Sequence, residues 1–170
     1  AHRIRHLSTP LEPRPTDTIP RMDPLTGIRA VLFDVYGTLV ISASGDIGLA
    51  GERDADSAFT AALDAAGIRA EDQGGPDRLK QAIRAFHAER KAAGVEFPEV
   101  EIRDIWSSVL SAEENLERLA IEYECRVNPV WPMPGLSQVL SDIRGRDLVL
   151  GIVSNAQFYT PLMIESFLGT

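Results

Sequence analysis

Two polar signals, each at the end of an apolar run, carry the chemistry this sequence can do. The first run, Val31-Leu32-Phe33, ends on Asp34, and the second, Leu148 to Val153, ends on Ser154 and Asn155. A carboxylate at an apolar strand end is costly unless it has partners or a function. The turn Tyr36-Gly37-Thr38 after Asp34 offers backbone N–H groups, and Ser154 offers a hydroxyl. Such groups hold phosphoryl or similar oxygens. In open α/β sheets ligands sit beyond the carboxyl ends of the strands. Asp34 and Ser154, 120 residues apart in sequence, could therefore converge on one ligand.

The elements that must position them follow from periodicity. Val31 to Phe33 reads as a buried strand, punctuated by Gly37. Residues 54–66 are Ala-rich with Phe59 and Leu63 four apart, and Gly67 closes them. Leu79, Ile83 and Phe86 mark a helix that stops at Gly94. Ile102, Ile105, Trp106, Val109 and Leu110 share one helical face, and Leu116, Leu119, Ala120 and Tyr123 another. Pro129, Pro132 and Pro134 end the helical block. Leu136, Val139, Leu140 and Ile143 form one more amphipathic helix ahead of the second apolar run, and a last helix covers roughly 159–168. Two apolar strands joined through a helix predict a parallel α/β sheet, with a four-helix insertion as a separate lobe. The boundaries are a leader over 1–27, a core over 28–42 and 129–170, and a helical insertion over 43–128.

The leader holds Pro10, Pro13, Pro15, Pro20 and Pro24. Proline removes backbone donors, so this segment is expected to be extended and mobile. His2 and His6 stand four apart, but a metal pair at that spacing needs a helix, and this stretch is a poor one. Met22 is a candidate natural start. The 170 residues suit one ordinary domain. No apolar stretch reaches the ~18 residues of a membrane-spanning helix. The net charge of -8 gives a nucleic-acid partner no electrostatic support. The insertion alone has eighteen acidic residues against ten basic. A single cysteine, Cys125, fits a reducing, cytoplasmic setting and a small helix residue. Trp106 and Trp131 are read as packing residues. His87, Arg84, Arg90 and Lys91 are read as a solvated face. Ser42, Ser44 and Asp46 are read as a hinge, and nothing in its context singles out Arg53 as an anion ligand.

FDVYGTLV, residues 33–40, resembles the first motif of the haloacid dehalogenase-like (HAD) hydrolase superfamily. GIVSNA, residues 151–156, is similar to its second motif, and WPMPGLSQVL to the run-up between them. The resemblance covers about 28–170. It implies a Rossmannoid parallel-sheet core with a helical cap inserted after the first strand. Asp34 would be the nucleophile of a covalent aspartyl intermediate. Thr38 would support the loop, Ser154 would bind an oxygen of the transferred group, and Asn155 would add a backbone amide. Where magnesium is used, Asp34 and the carbonyl of Tyr36 would be ligands.

Family phosphatases usually carry a second Asp where this chain has Tyr36, and dehalogenase-type members commonly have tyrosine there and need no metal. A tyrosine, with its reference pKa near ~10, is poorly matched to proton transfer at neutral pH. The family also uses a lysine and an acidic motif after the second motif. Here Lys80 and Lys91 both precede Ser154, and Glu165 is the one acid after it. The core is therefore expected to be incomplete, its remaining strands and site residues coming from further sequence, a second copy or a complementing chain. Three functions stay open: a phosphatase of a small phosphorylated metabolite, a 2-haloacid dehalogenase-type hydrolase, and a truncated non-catalytic relative.

Overall fold

The structure is a computed structural model that describes residues 2–14, 16, 18–21, 23–43, 55–69, 75–110 and 114–169. Ser44, Asp46 and Arg53 lie outside the described residues. The elements run α1 (His2–Leu7), β1 (Ala30–Phe33), β2 (Val40–Ser42), α2 (Ala55–Ala66), α3 (Gly75–Ala92), α4 (Ile102–Val109), α5 (Leu116–Val127), β3 (Val130–Pro132), α6 (Leu136–Arg144), β4 (Val149–Ile152) and α7 (Thr160–Leu168). The protein is mixed α/β, and no described helix is long and apolar enough to cross a membrane.

The two apolar runs pair as expected. β1 and β4 are parallel, with Ala30 opposite Val149 and Phe33 opposite Ile152. Parallel sheets normally have both faces covered. Here Leu32, Val149, Ile152 and Val153 remain 54–67% exposed while Phe33 packs on the core, so, against the expectation of a buried strand, one face of the two-stranded sheet is bare and the other only partly covered.

A second pair of strands is not visible in the periodicity. β2 and β3 run antiparallel, with Val40 opposite Pro132 and Ser42 opposite Val130. They are the two chain crossings between the core and the helical insertion. Three residues are too few to show a period of two, and the prolines at 129–134 read as breakers. Pro132 is tolerated because it ends its strand in a two-stranded pair.

The four helices predicted for the insertion are present. α2 and α5 pack most closely, and Phe59, Trp106 and Tyr123 form an aromatic cluster at their junction with α4. The block does not stand apart. One buried cluster joins it to Val35, Leu39 and Val40 after β1, to Tyr159 and Met163 at α7, and to Ile4. Trp106 is buried, as its helical stripe predicts, and the half-buried Trp131 packs edge-on against Phe167. Cys125 is buried in α5.

The leader departs from expectation at its start. His2–Leu7 is helical, and Ile4 is 2% exposed between α5 and α7. Arg3 donates to both oxygens of Glu122, at 2.6 and 2.9 Å, and Arg126 donates to the same carboxylate. Tertiary contacts outweigh weak local propensity here, as is usual for a short helix. His2 and His6 are exposed on this helix.

Burial alone would raise the Glu122 pKa, but the hydrogen bonds from Arg3 and Arg126 outweigh it and hold the carboxyl below its usual 4.5. A carboxyl lowered on folding contributes stability above its unfolded pKa, and that contribution is lost as pH falls through the folded value. Wild-type protein should thus lose stability as pH drops below 4.5. Glu122→Gln should be less stable at neutral pH and should show a flatter acid limb in urea melts. An unchanged limb would rule Glu122 out as a source of acid sensitivity.

Candidate functional site

The geometry of the site begins with the parallel register. The ladder continues one step beyond β1 and β4, since Val153 N–H donates to the Phe33 carbonyl at 2.9 Å. Asp34 and Ser154 therefore leave neighbouring strands at the same carboxyl edge, with strands spaced about 4.8 Å apart. Ser154 is half-buried and lines a groove of about 410 Å³ together with Val35, Ile152 and Thr160.

Asp34 itself is exposed. Among the described residues its carboxylate has no hydrogen-bond or ion-pair partner. This corrects the desolvation argument drawn from its apolar neighbours: Phe33 and Val35 turn inward while Asp34 points to solvent, as alternation along a strand requires. An exposed carboxylate needs no structural partner, so none of the described contacts accounts for it.

The turn after Asp34 is tightly built. The Val35 carbonyl accepts from the amides of Thr38, Leu39 and Val40 at 3.3, 2.8 and 3.0 Å, and Gly37 N–H donates to the Val40 carbonyl at 2.8 Å. The amides of Gly37 and Thr38, expected to face a ligand, are thus occupied inside the turn. Those of Val35 and Tyr36, directly after Asp34, take no backbone acceptor among the described residues and are the better candidates for an oxyanion. Gly37 has φ +79°, and a Cβ added there would meet nothing within 4 Å. Gly37→Ala should therefore cost only the left-handed penalty of about 1–2 kcal/mol, read as a lower urea midpoint. An unchanged midpoint would mean the turn relaxes.

Tyr36 turns away from the edge. Its hydroxyl lies 2.9 Å from Thr160 Oγ1 and 3.7 Å from Met163 Sδ, against α7. Burial pushes its pKa up to about 12, with the Thr160 hydrogen bond opposing. The side chain is thereby removed from proton transfer near neutrality, and what Tyr36 offers the site is its backbone. Thr38 is exposed on the turn.

Asn155 is exposed, and its side-chain amide donates to Glu99 at 3.0 Å. Gln157, which sequence reasoning passed over, is buried and clamps the same loop. Its Nε2 donates to the Val100 carbonyl at 2.8 Å, and its Oε1 accepts from Ile102 N–H at 3.0 Å. These bonds tie the start of α4 to the carboxyl end of β4. A polar run just after a strand was the available signal. Where β2 ends, Ser42 donates to Asn128, which donates to Glu124.

For magnesium, Asp34 and the Tyr36 carbonyl supply two oxygens, short of the octahedral set the ion takes. No group of three or more His, Cys, Asp or Glu side chains suited to a metal occurs among the described residues. The described donors do not make a complete magnesium site.

No protein-family model matches this chain, and neither a curated protein nor a solved structure is significantly similar to it.

Proposed function

We propose that the chain carries the nucleophile side of a haloacid dehalogenase-like hydrolase acting on a small phosphorylated metabolite. The observation that supports this best is the parallel register of β1 and β4, with Asp34 and Ser154 leaving at one edge. In this reading an Asp34 oxygen attacks phosphorus, and the P–O bond to the alcohol breaks with its electron pair. The leaving oxygen takes a proton from solvent, since Tyr36 is turned away. Water then attacks the aspartyl phosphate, releases phosphate and restores the carboxylate. The Ser154 hydroxyl and the backbone amides after Asp34 hold the phosphoryl oxygens. Magnesium belongs to the resemblance, and none of these steps runs through it.

A second reading, a 2-haloacid dehalogenase-type hydrolase, is favoured by Tyr36 standing where a second Asp is usual. There Asp34 attacks carbon, halide leaves, and water cleaves the resulting ester. The exposed apolar side chains of Leu32, Val149 and Ile152 are left in either reading for a second copy or a complementing chain. The test is paired: phosphate release from a panel of small phosphate esters with and without magnesium, and halide release from 2-haloacids. Phosphate release supports the first reading and halide release the second. Neither product, from protein shown to be folded, supports a non-catalytic relative.

A further inference from the structure

The leader crosses the molecule next to the candidate site. Its start is anchored by buried Ile4 and the paired hydrogen bonds from Arg3 to Glu122, and Ser8 Oγ closes α1 on the Ile4 carbonyl at 2.9 Å. Residues 11–14 then form one side of a hollow of about 690 Å³ whose other side includes Tyr36, Gly37 and Met133. That volume suits a small molecule. Glu12, Pro13 and Arg14 are exposed, so core burial does not explain where they lie. Pro10 and Pro13 lock φ and stiffen an extended path that needs no hydrogen bonds.

We propose that residues 11–14, held in place by α1, are a substrate-selecting wall that admits small molecules to the hollow beside the turn after Asp34 and excludes bulky ones. That the admitted molecules are substrates rests on the reading of Asp34 as nucleophile. The gate itself is tested without turnover.

Met133→Cys places a thiol on the far side of the hollow. The native Cys125, 2% exposed on α5 where α1 packs, is replaced by alanine throughout, so that releasing α1 uncovers no second thiol. The 170-residue chain carrying Met133→Cys is labelled with N-methylmaleimide and with fluorescein maleimide. The same is done after adding Ile4→Asp, which expels α1, or Arg3→Ala, which loosens it while keeping Ile4. Circular dichroism confirms that each variant remains folded. The bulky reagent should react about tenfold faster once α1 is released, the ratio for a wall open about one-tenth of the time. The small reagent should change little. Bulky-reagent rates in both folded release variants equal to that of the unreleased Met133→Cys protein overturn the gate, whatever the activity. A gate seen by labelling in protein that hydrolyses neither phosphate esters nor 2-haloacids leaves the wall standing and removes the hydrolase reading. Where turnover exists, release should raise kcat/KM for bulky esters and leave small ones nearly unchanged.

Discussion

Asp34→Asn should abolish turnover while leaving the fold intact. The substitution is nearly isosteric and replaces a nucleophilic oxygen with an amide that cannot form the aspartyl intermediate. Loss of a covalent nucleophile costs roughly 10³-fold or more in kcat. Because the side chain is exposed and unpartnered among the described residues, the urea midpoint should move by no more than about 0.5 kcal/mol of stability. The two readouts together separate a chemical role from a structural one. Activity retained in the Asn variant sinks the nucleophile assignment for phosphatase and dehalogenase alike. A large fall in stability would instead show that Asp34 has a structural role the described contacts do not reveal.

The largest effect on stability is expected from Trp106→Ala. Trp106 is 1% exposed, stacked on Phe59 at 5.9 Å between centroids and edge-on to Tyr123 at 5.4 Å. Truncating a buried tryptophan costs about 3–5 kcal/mol, from lost transfer energy and the cavity left behind. The two aromatic pairs add about 0.5–1.5 kcal/mol each. Against a total stability of about 5–15 kcal/mol, this is enough to unfold a marginal protein. Phe97→Ala is the matched control, since Phe97 is 79% exposed and its removal should cost under about 0.5 kcal/mol. Similar urea midpoints for the two variants would mean that the aromatic cluster is not the centre of the helical block.

Much of the architecture was legible because it rests on local periodicity. The stripe Ile102, Ile105, Trp106, Val109 has one way to hide its apolar face, and the helix over 102–109 buries all four. Val31 to Phe33 and Leu148 to Val153 lack polar alternation, which favours a parallel pair, and β1 and β4 pair that way. The carboxyl edge shared by Asp34 and Ser154 follows from that pairing alone.

Other features depended on partners distant in sequence. Nothing local in HRIRHL marks a stable helix; Ile4 finds its pocket between α5 and α7, and Arg3 meets Glu122 119 positions away. The Tyr36 hydroxyl is drawn to Thr160, 124 positions on, and so leaves the edge its sequence position suggests. The amides of Gly37 and Thr38 are occupied because the turn closes on the carbonyls of Val40 and Val35. By itself the sequence determined which segments are apolar on one face, and hence which become helix or parallel strand. Tertiary structure alone decided which polar groups stay open to solvent and which are bonded inside. Periodicity is a property of neighbours three or four residues apart, whereas desolvation depends on whatever the rest of the chain lays against a group.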